Sequence, residues 1–329
     1  MDDVRFGVLG CARVFERRMA PALKSAGNAA LHAVASRTLE KAQATAEKHG
    51  VARAYGSYDA LLADPDIEAV YIPLPNDQHA EWTVKALAAG KHVLCDKPLA
   101  LSVAEAEWMA GAAVASGLRL MEGFMYRHHP QHQKVFEVLQ SGAIGEPVHF
   151  RGIFTYPATA DHAGIRWNPA QGGGAFLDVG VYPLNAARWL LGSEPTEAKA
   201  LAVRDSGTGV DIHTAALLAF AENRTASLIG GFDQAFTSRY ELVGREGSIT
   251  AERAFQVGES GVRVLVRANN SDTEEAFFFE HQDQFQLEVE HFAACVRDPQ
   301  KPLEPGEDGV AQARAQALVQ SAADFNRRR

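Results

Sequence analysis

Two separated segments of this chain hold residue types suited to proton transfer at a carbon–oxygen bond. The first is Asp96-Lys97-Pro98, which puts an ammonium group at the end of a short apolar run, His92 to Cys95. The second is Gly172-Gly173-Gly174-Ala175-Phe176-Leu177-Asp178-Val179-Gly180-Val181-Tyr182. Its three consecutive glycines let the backbone approach a neighbour closely. Asp178 and Tyr182 are four apart and would share one face of a helix. Tyrosine is an apt acid or base for a carbinol or carbonyl, but its solution pKa is ~10. A nearby ammonium stabilises phenolate and lowers that value, and a fall of about two units corresponds to ~2.7 kcal/mol. Lys97 is the candidate source of the charge, and Asp178 would orient Lys97 or a substrate hydroxyl. Taken singly, each segment also has a plain reading: a surface Lys-Pro turn, a capping aspartate, a packed tyrosine.

A third segment suits phosphate. Val4 to Leu9 reads as a buried strand, and Gly10-Cys11-Ala12-Arg13-Val14-Phe15 follows it. A glycine turn at that point lets backbone N–H groups approach a pyrophosphate at a helix N-terminus. Gly10 fits the first glycine of G-x-G-x-x-G, but Ala12 and Phe15 stand at the second and third. The motif alone therefore leaves a strand-turn-helix without ligand as the alternative. The second strand ends in Ser36-Arg37-Thr38. An NAD site usually carries an acid there for the ribose hydroxyls. An arginine instead offers a 2′-phosphate a permanently charged fork, so NADP is favoured and NAD is less so. The alternative for Arg37 is a solvated residue beside a Thr38 helix cap.

The elements that would position these residues alternate at first. Strands are expected at Leu31 to Ala35, Ala69 to Ile72, His92 to Cys95 and Arg119 to Glu122. Helices are expected up to about Ala26 (kinked or split at Pro21), from the Thr38 cap to Gly50, from Asp77 to Ala89, and from the Ser102 cap to Ser116. This alternation predicts a parallel α/β Rossmann domain over 1–122. The rest, 123–329, is predicted as an α+β domain for substrate binding and oligomerisation, built on a large, mainly antiparallel open sheet. Its expected strands are Val148 to Tyr156, Ala198 to Val203, Thr214 to Phe220, Thr225 to Gly230, Tyr240 to Val243 and Val262 to Val266. Phe277 to Phe279 also reads as strand. Helices are expected at Pro130 to Gln140, Val181 to Leu191, Gln284 to Val296 and Gly309 to Phe325, the last of which would pack back on the Rossmann domain.

Bulk properties exclude several classes. The chain has 329 residues, enough for two domains. Its net charge of -9, without a clustered basic face, argues against nucleic acid. The three cysteines fit neither a disulfide framework nor a zinc pattern and suit a reducing, cytoplasmic compartment. No signal peptide or apolar membrane span is evident. His128 and His132 have helical i,i+4 spacing, but no acid or cysteine completes a ligand set, so no metal is expected.

Taken together, these segments resemble the glucose-fructose oxidoreductase/inositol dehydrogenase/rhizopine-catabolism (Gfo/Idh/MocA) family over nearly the whole chain. The resemblance includes Val8-Leu9-Gly10-Cys11, Tyr71-Ile72-Pro73-Leu74-Pro75-Asn76-Asp77-Gln78-His79 and Ala89-Gly90-Lys91-His92-Val93-Leu94-Cys95-Asp96-Lys97-Pro98. It continues through Glu122-Gly123-Phe124-Met125-Tyr126-Arg127 and the Gly172 to Tyr182 segment. It implies that Lys97 lies by the nicotinamide, that the following proline bond is cis, and that Asp178 and Tyr182 are the aspartate and catalytic residue of a D-x-G-x-[HY] segment. The implied cofactor contacts are Gly10, Cys11, Ala12 and Arg13 at the first turn and Ser36 and Arg37 at the second strand. Pro73, Leu74, Asn76, His79, Asp96, Lys97 and Glu122 complete that set. Arg127, Arg166 and Trp167 fall where the family lines its substrate pocket with Lys97, Asp178 and Tyr182. Tyrosine at 182 resembles the branch of glucose-fructose oxidoreductase, dihydrodiol dehydrogenase, NADP-xylose dehydrogenase and sugar-nucleotide 3-ketoreductases, and points away from inositol dehydrogenase, which uses histidine. The sequence departs from the family at Asp96, where glutamate is usual, and at Ala12. The resemblance implies an NADP-dependent sugar dehydrogenase or reductase and a homodimer or homotetramer. A non-catalytic NADP-binding regulator is the rival reading.

Overall fold

The structure is a computed structural model that describes residues 2–158, 164–269, 271, 273–303 and 308–325. The chain divides into two compact units. The first comprises Met1–His128 with Asp283–Ala313, and the second His129–Gln282 with Arg314–Arg329. Where the sequence reading draws one boundary at 122, the first unit by contact continues to His128 and takes back a C-terminal segment.

The first unit alternates as expected. Strands β1 (Val4–Leu9), β2 (Ala29–Ala35), β3 (Arg53–Tyr55), β4 (Ala69–Ile72), β5 (His92–Asp96) and β6 (Leu120–Gly123) form one parallel sheet in the order β3-β2-β1-β4-β5-β6. The order reverses between β1 and β4, and ligands of such sheets bind at the strands' carboxyl ends beside that point. Side chains of β1 alternate between two cores. Val4, Phe6 and Val8 join Phe15, Met19 and Phe292 on one face. Leu9 joins Leu61, Leu74 and Val93 on the other. Burial on both faces is why these strands read as unbroken apolar runs.

The helices of this unit are α1 (Ala20–Ser25), α2 (Leu39–His49), α3 (Tyr58–Leu62), α4 (His79–Ala88) and α5 (Val103–Ser116). Local signals set their ends. Thr38 accepts from Lys41 N and Gly50 closes α2 in the left-handed region. Ser102 and Glu105 form a capping box on α5. Pro21 does not break the helical path: a π-helical turn, Phe15–Met19, runs directly into α1 with Met19 and Ala20 both in the right-handed helical region, and the proline falls in the first turn of α1. Two elements lie outside the sequence reading, β3 and α3. Three residues are too short a run to show periodicity.

The second unit is built on an eight-stranded sheet. Helices α6 (Pro130–Gln140) and α7 (Val181–Leu191) pack on it. Its strands are β7 (Pro147–Thr155), β8 (Pro195–Arg204), β9 (Asp211–Phe220), β10 (Thr225–Gly231), β11 (Thr237–Gly244), β12 (Gly247–Glu252), β13 (Val262–Ala268) and β14 (Glu275–Phe279). They run in the order β14-β13-β12-β11-β7-β10-β9-β8, antiparallel throughout except for the β7–β10 pair. β12 was not read from sequence, although its Ile249 and Ala251 alternate inward. Helix α8 (Gln284–Arg297) belongs to the first unit, and the unit division falls within α9 (Gly309–Phe325).

Candidate functional site

In the first unit, the carboxyl ends of β1 and β2 form one half of the candidate site. Gly10 has φ +108, and a Cβ there would lie 2.8 Å from Leu74 Cδ2. Both facts require glycine at this turn. Leu74 is buried beneath it. Gly10 N donates to Ala35 O at 2.9 Å and Ser36 N to Tyr55 O at 3.1 Å, tying the turn to β2 and β2 to β3. Cys11 is 7% exposed, with its thiol 3.9 Å from Ala35 O. Ala12 is half-buried and Arg13 is exposed. No side chain caps the helical turn that follows. Phe15, at the third glycine position, is fully buried against the His49 ring in that π turn. Ser36 is buried and Arg37 exposed. Neither Arg13 nor Arg37 makes an ion pair or hydrogen bond among the described residues.

The carboxyl ends of β4 and β5 hold Lys97. The Lys97-Pro98 bond is cis, as the resemblance implied. Asp96 Oδ1 accepts from Lys97 N at 2.9 Å, and its Oδ2 accepts from Tyr71 OH at 3.5 Å. Leu99 N donates to Glu122 Oε1 at 2.8 Å. Pro73 is buried and Asn76 half-buried at the start of a short 3-10 turn. His79 is fully buried, with Nδ1 2.8 Å from Pro98 O and Nε2 2.9 Å from Leu74 O. Burial lowers its pKa, against the pull of both carbonyls and of Asp96. The ring therefore joins the loop after β4 to the loop carrying Lys97, and presents no nitrogen to a cofactor. Sequence reasoning missed Glu288 of α8. It is 1% exposed, and its Oε1 lies 3.6 Å from where a Cβ on Gly123 would be. Burial, with Asp96 and Asp283 nearby, pushes its pKa well up. Arg127 has a 6% exposed side chain and pairs with Asp308 at 3.2 Å within this unit. His128 stacks on His291 with centroids 4.9 Å apart.

In the second unit, the glycine segment turns into a π-helical turn, Phe176–Gly180, that leads directly into α7. Gly174 has φ +121, and a Cβ there would meet Asp211 Oδ1 at 2.1 Å. Asp211 Oδ2 accepts from Phe176 N at 2.7 Å and from Thr214 Oγ1 at 2.8 Å, fixing the start of the turn to β9. Asp178 stands on that turn. Its Oδ2 accepts from Tyr156 OH and from Arg166 Nε, each at 2.7 Å. Burial and then the Asp178 charge raise the Tyr156 pKa, and Asp178 raises that of Arg166. Tyr182 is 5% exposed, with its ring edge-on to Phe154 at 5.2 Å and tilted against Phe255 at 5.9 Å. Trp167 is buried against Phe232. Tyr156 was not singled out from sequence. It lies 22 positions from Asp178, and only the fold brings the pair together.

The other two histidines of the cluster have separate tasks. His129 caps α6 through Nδ1, which accepts from Gln131 N. His132 Nδ1 is 2.8 Å from Tyr240 OH and Nε2 is 3.0 Å from Ala254 O. Nε2 therefore carries the proton and Nδ1 accepts from the phenol. Among the described residues no group of three or more His, Cys, Asp or Glu could hold a metal ion.

A six-stranded parallel sheet in this order, with a forced glycine turn after β1, defines a dinucleotide-binding domain. Residues 4–124 match the oxidoreductase family with an NAD-binding Rossmann fold, and residues 132–250 match the Gfo/Idh/MocA C-terminal domain. The chain belongs to the Gfo/Idh/MocA oxidoreductase family. It is 38% identical over 312 residues to a dTDP-3,4-didehydro-2,6-dideoxy-alpha-D-glucose 3-reductase from Actinomadura kijaniata, covering 95% of this chain and 93% of that protein. It is 35% identical to a D-xylose 1-dehydrogenase (NADP(+)) from Haloferax volcanii, over 96% and 97% of the two chains. Among solved structures, a 3-ketoreductase from Actinomadura kijaniata in complex with NADP and TDP-benzene superposes with a TM-score of 0.90 at 37% identity, with 98% of each chain covered.

Proposed function

We propose that this chain is an NADP(H)-dependent oxidoreductase that transfers hydride between nicotinamide and a carbonyl or hydroxyl of a sugar or sugar derivative. One observation carries the cofactor choice. Arg37, at the carboxyl end of β2, is exposed and unpaired among the described residues, where an NAD site would place an acid. The Gly10 cradle, which any Cβ would fill, and the unpaired Arg13 fit the pyrophosphate of the same cofactor. The relatives that reduce a keto-sugar nucleotide or oxidise xylose support a sugar as the second substrate.

When bound, the nicotinamide supplies or accepts the hydride. The chain's own residues handle charge and protons. In the reducing direction Tyr182 Oη gives its proton to the forming alkoxide, and Lys97 Nζ stabilises the developing negative charge. In the oxidising direction Tyr182 is the base. Asp178, held by Tyr156 and Arg166, keeps Arg166 in place for the sugar's polar groups. Glu122, His79 and the Asp96 carboxylate fix the backbone that carries Lys97.

The same reading includes a cytosolic homo-oligomer. Cys11, Cys95 and Cys295 are free and buried, which suits a reducing compartment. No described helix is long and apolar enough to cross a membrane. Leu201, Val203 and Leu217 lie exposed on one face of β8 and β9, a surface that suits a second copy of the chain. The deciding experiment is a cofactor-resolved activity screen. NADP or NAD would be offered with aldoses, and NADPH or NADH with dicarbonyls, keto-sugars and sugar-nucleotide ketones. NADP-linked turnover supports the reading. Preference for NAD, or cofactor binding without turnover of anything on the panel, would sink it.

A further inference from the structure

Tyr58, the first residue of α3, lies in the part of the first unit that sequence reading passed over. Its ring is 8% exposed and wedged in the core, edge-on to Trp82 at 4.8 Å. Its hydroxyl lies 3.8 Å from where a Cβ on Gly10 would be, at the mouth of the glycine turn. That hydroxyl makes no hydrogen bond among the described residues, although packing on all sides fixes the ring that carries it. A rigidly held phenol O–H with no partner among those residues is free to donate to a ligand at that mouth. The groups acting on the phenol electrostatically are Arg37 and Cys11, one from each of the two strand ends that flank the site. Burial raises its pKa, so it stays an O–H donor at neutral pH.

In a sheet of this order the adenosine ribose lies between the carboxyl ends of the first two strands. We propose that Tyr58 is a cofactor-specificity residue that donates a hydrogen bond to the 2′-phosphate of NADP alongside the Arg37 guanidinium. The division of labour is physical. Arg37 is exposed and supplies charge. Tyr58 is rigid and neutral and supplies direction, at little entropic cost because its ring is already packed. The inference rests on the NADP reading above and deepens it.

The test measures binding, not turnover. Dissociation constants for NADP⁺, NAD⁺, 2′-AMP and 5′-AMP would be measured by calorimetry on wild type, Tyr58→Phe, Arg37→Ala and the double variant. Phenylalanine keeps the packed ring, and a thermal melt without ligand verifies that the fold is kept. Tyr58→Phe should weaken NADP⁺ and 2′-AMP by ~10-fold, the size of a lost hydrogen bond to a charged group. NAD⁺ and 5′-AMP should change less than about twofold, and the double variant should be non-additive on NADP⁺ only. Equal weakening of both dinucleotides would move the hydroxyl to the pyrophosphate and overturn the proposal. Unchanged affinity for all four ligands would make Tyr58 a core residue only. If wild type itself binds NADP⁺ no better than NAD⁺, the cofactor reading fails first and this inference with it. Should Tyr58→Phe melt early, Tyr58→Trp, which keeps bulk and removes the O–H, must reproduce the selective loss for the proposal to stand.

Discussion

Gly230 of β10 lies directly under Gly180, so that a Cβ on Gly230 would sit 2.6 Å from the Gly180 Cα and 2.8 Å from its nitrogen. Backbone packs on backbone at this point. The π turn that bears Asp178 and leads to Tyr182 is seated on the sheet through two glycines. Gly152 of β7 does the same for Pro183, one residue past Tyr182, where a Cβ would meet the proline at 2.5 Å.

Gly230→Ala is therefore expected to lift the turn away from the sheet. Overpacking of this kind costs about 1–3 kcal/mol. Activity should fall further than stability accounts for, because Tyr182 moves with its helix. Gly27→Ala is the control, since nothing lies within 4 Å of its Cβ position. Urea midpoints and kcat on both variants check this. A Gly230→Ala protein as active as Gly27→Ala would mean the close approach does not seat the tyrosine.

The legibility of this molecule follows the range of its signals. Thr38, Gly50, Ser102 and Gly117 act on residues within one turn, and the helices they bound fall where the sequence placed them. The β1 run showed a buried strand because two cores claim its two faces. By contrast Arg53–Tyr55 pairs with β2 through only three residues, each half-buried, and neither alternation nor a run marks it. Missing β3 also hid α3, and with it Tyr58. The partners of Asp178 were hidden for another reason. Asp178 was expected to orient Lys97 or a substrate hydroxyl, and the fold adds Tyr156 and Arg166, which reach it from 22 and 12 positions away, by strand and loop geometry. His79 likewise read as a group facing a crevice, but a buried ring between two carbonyls joins loops.

Asp178→Asn should separate positioning from proton transfer. The amide keeps the shape but removes the charge that raises the Tyr156 pKa. The Tyr156 phenol should therefore titrate at lower pH in the variant, with burial still holding it above the ordinary value. Ultraviolet phenolate titration of Asp178→Asn against a Tyr156→Phe reference reads this directly. An unchanged Tyr156 titration would mean the Asp178 charge does not reach it.

Tyr182→Phe and Lys97→Met should each lower NADP-linked kcat by a factor of ~100 or more, in the range set by loss of acid/base catalysis and charge stabilisation. Cofactor affinity should persist in Tyr182→Phe, so that binding and turnover part company. Pre-steady-state hydride transfer, followed by nicotinamide absorbance, would show the loss in the chemical step. Full turnover in Tyr182→Phe would hand the proton to another group.

Exposed Leu201, Val203 and Leu217 test the oligomer. Cross-strand pairing puts Leu201 opposite Ala215 and Leu217 opposite Lys199, so all three leucine and valine side chains share one face. Leu201→Glu with Leu217→Glu should shift the light-scattering mass toward the monomer. The melting temperature should not rise. A wild-type chain that is monomeric at micromolar concentration would refute the interface outright.

Acid stability offers a test within the first unit alone. Arg297 Nη1 of α8 donates to Glu68 Oε1 at 2.6 Å, just before β4, and Arg5 N donates to Oε2 at 3.1 Å. The Arg297 bond, aided by the Arg5 N–H, holds the Glu68 carboxyl at about 2, against burial, from an ordinary value of 4.5. A folded pKa below the unfolded one means the folded state prefers the ionised form. Its contribution is complete above 4.5 and drains away as pH falls through about 2. Glu68→Gln should therefore be less stable than wild type at pH 7, and the gap should narrow as pH drops from about 5 toward 2. Urea midpoints measured at pH 7, 4 and 3 decide it. If the gap stays constant across that range, the carboxylate is not ionisation-linked to folding, and the contact between α8 and the strand edge rests on packing of Val289 and Phe292 instead.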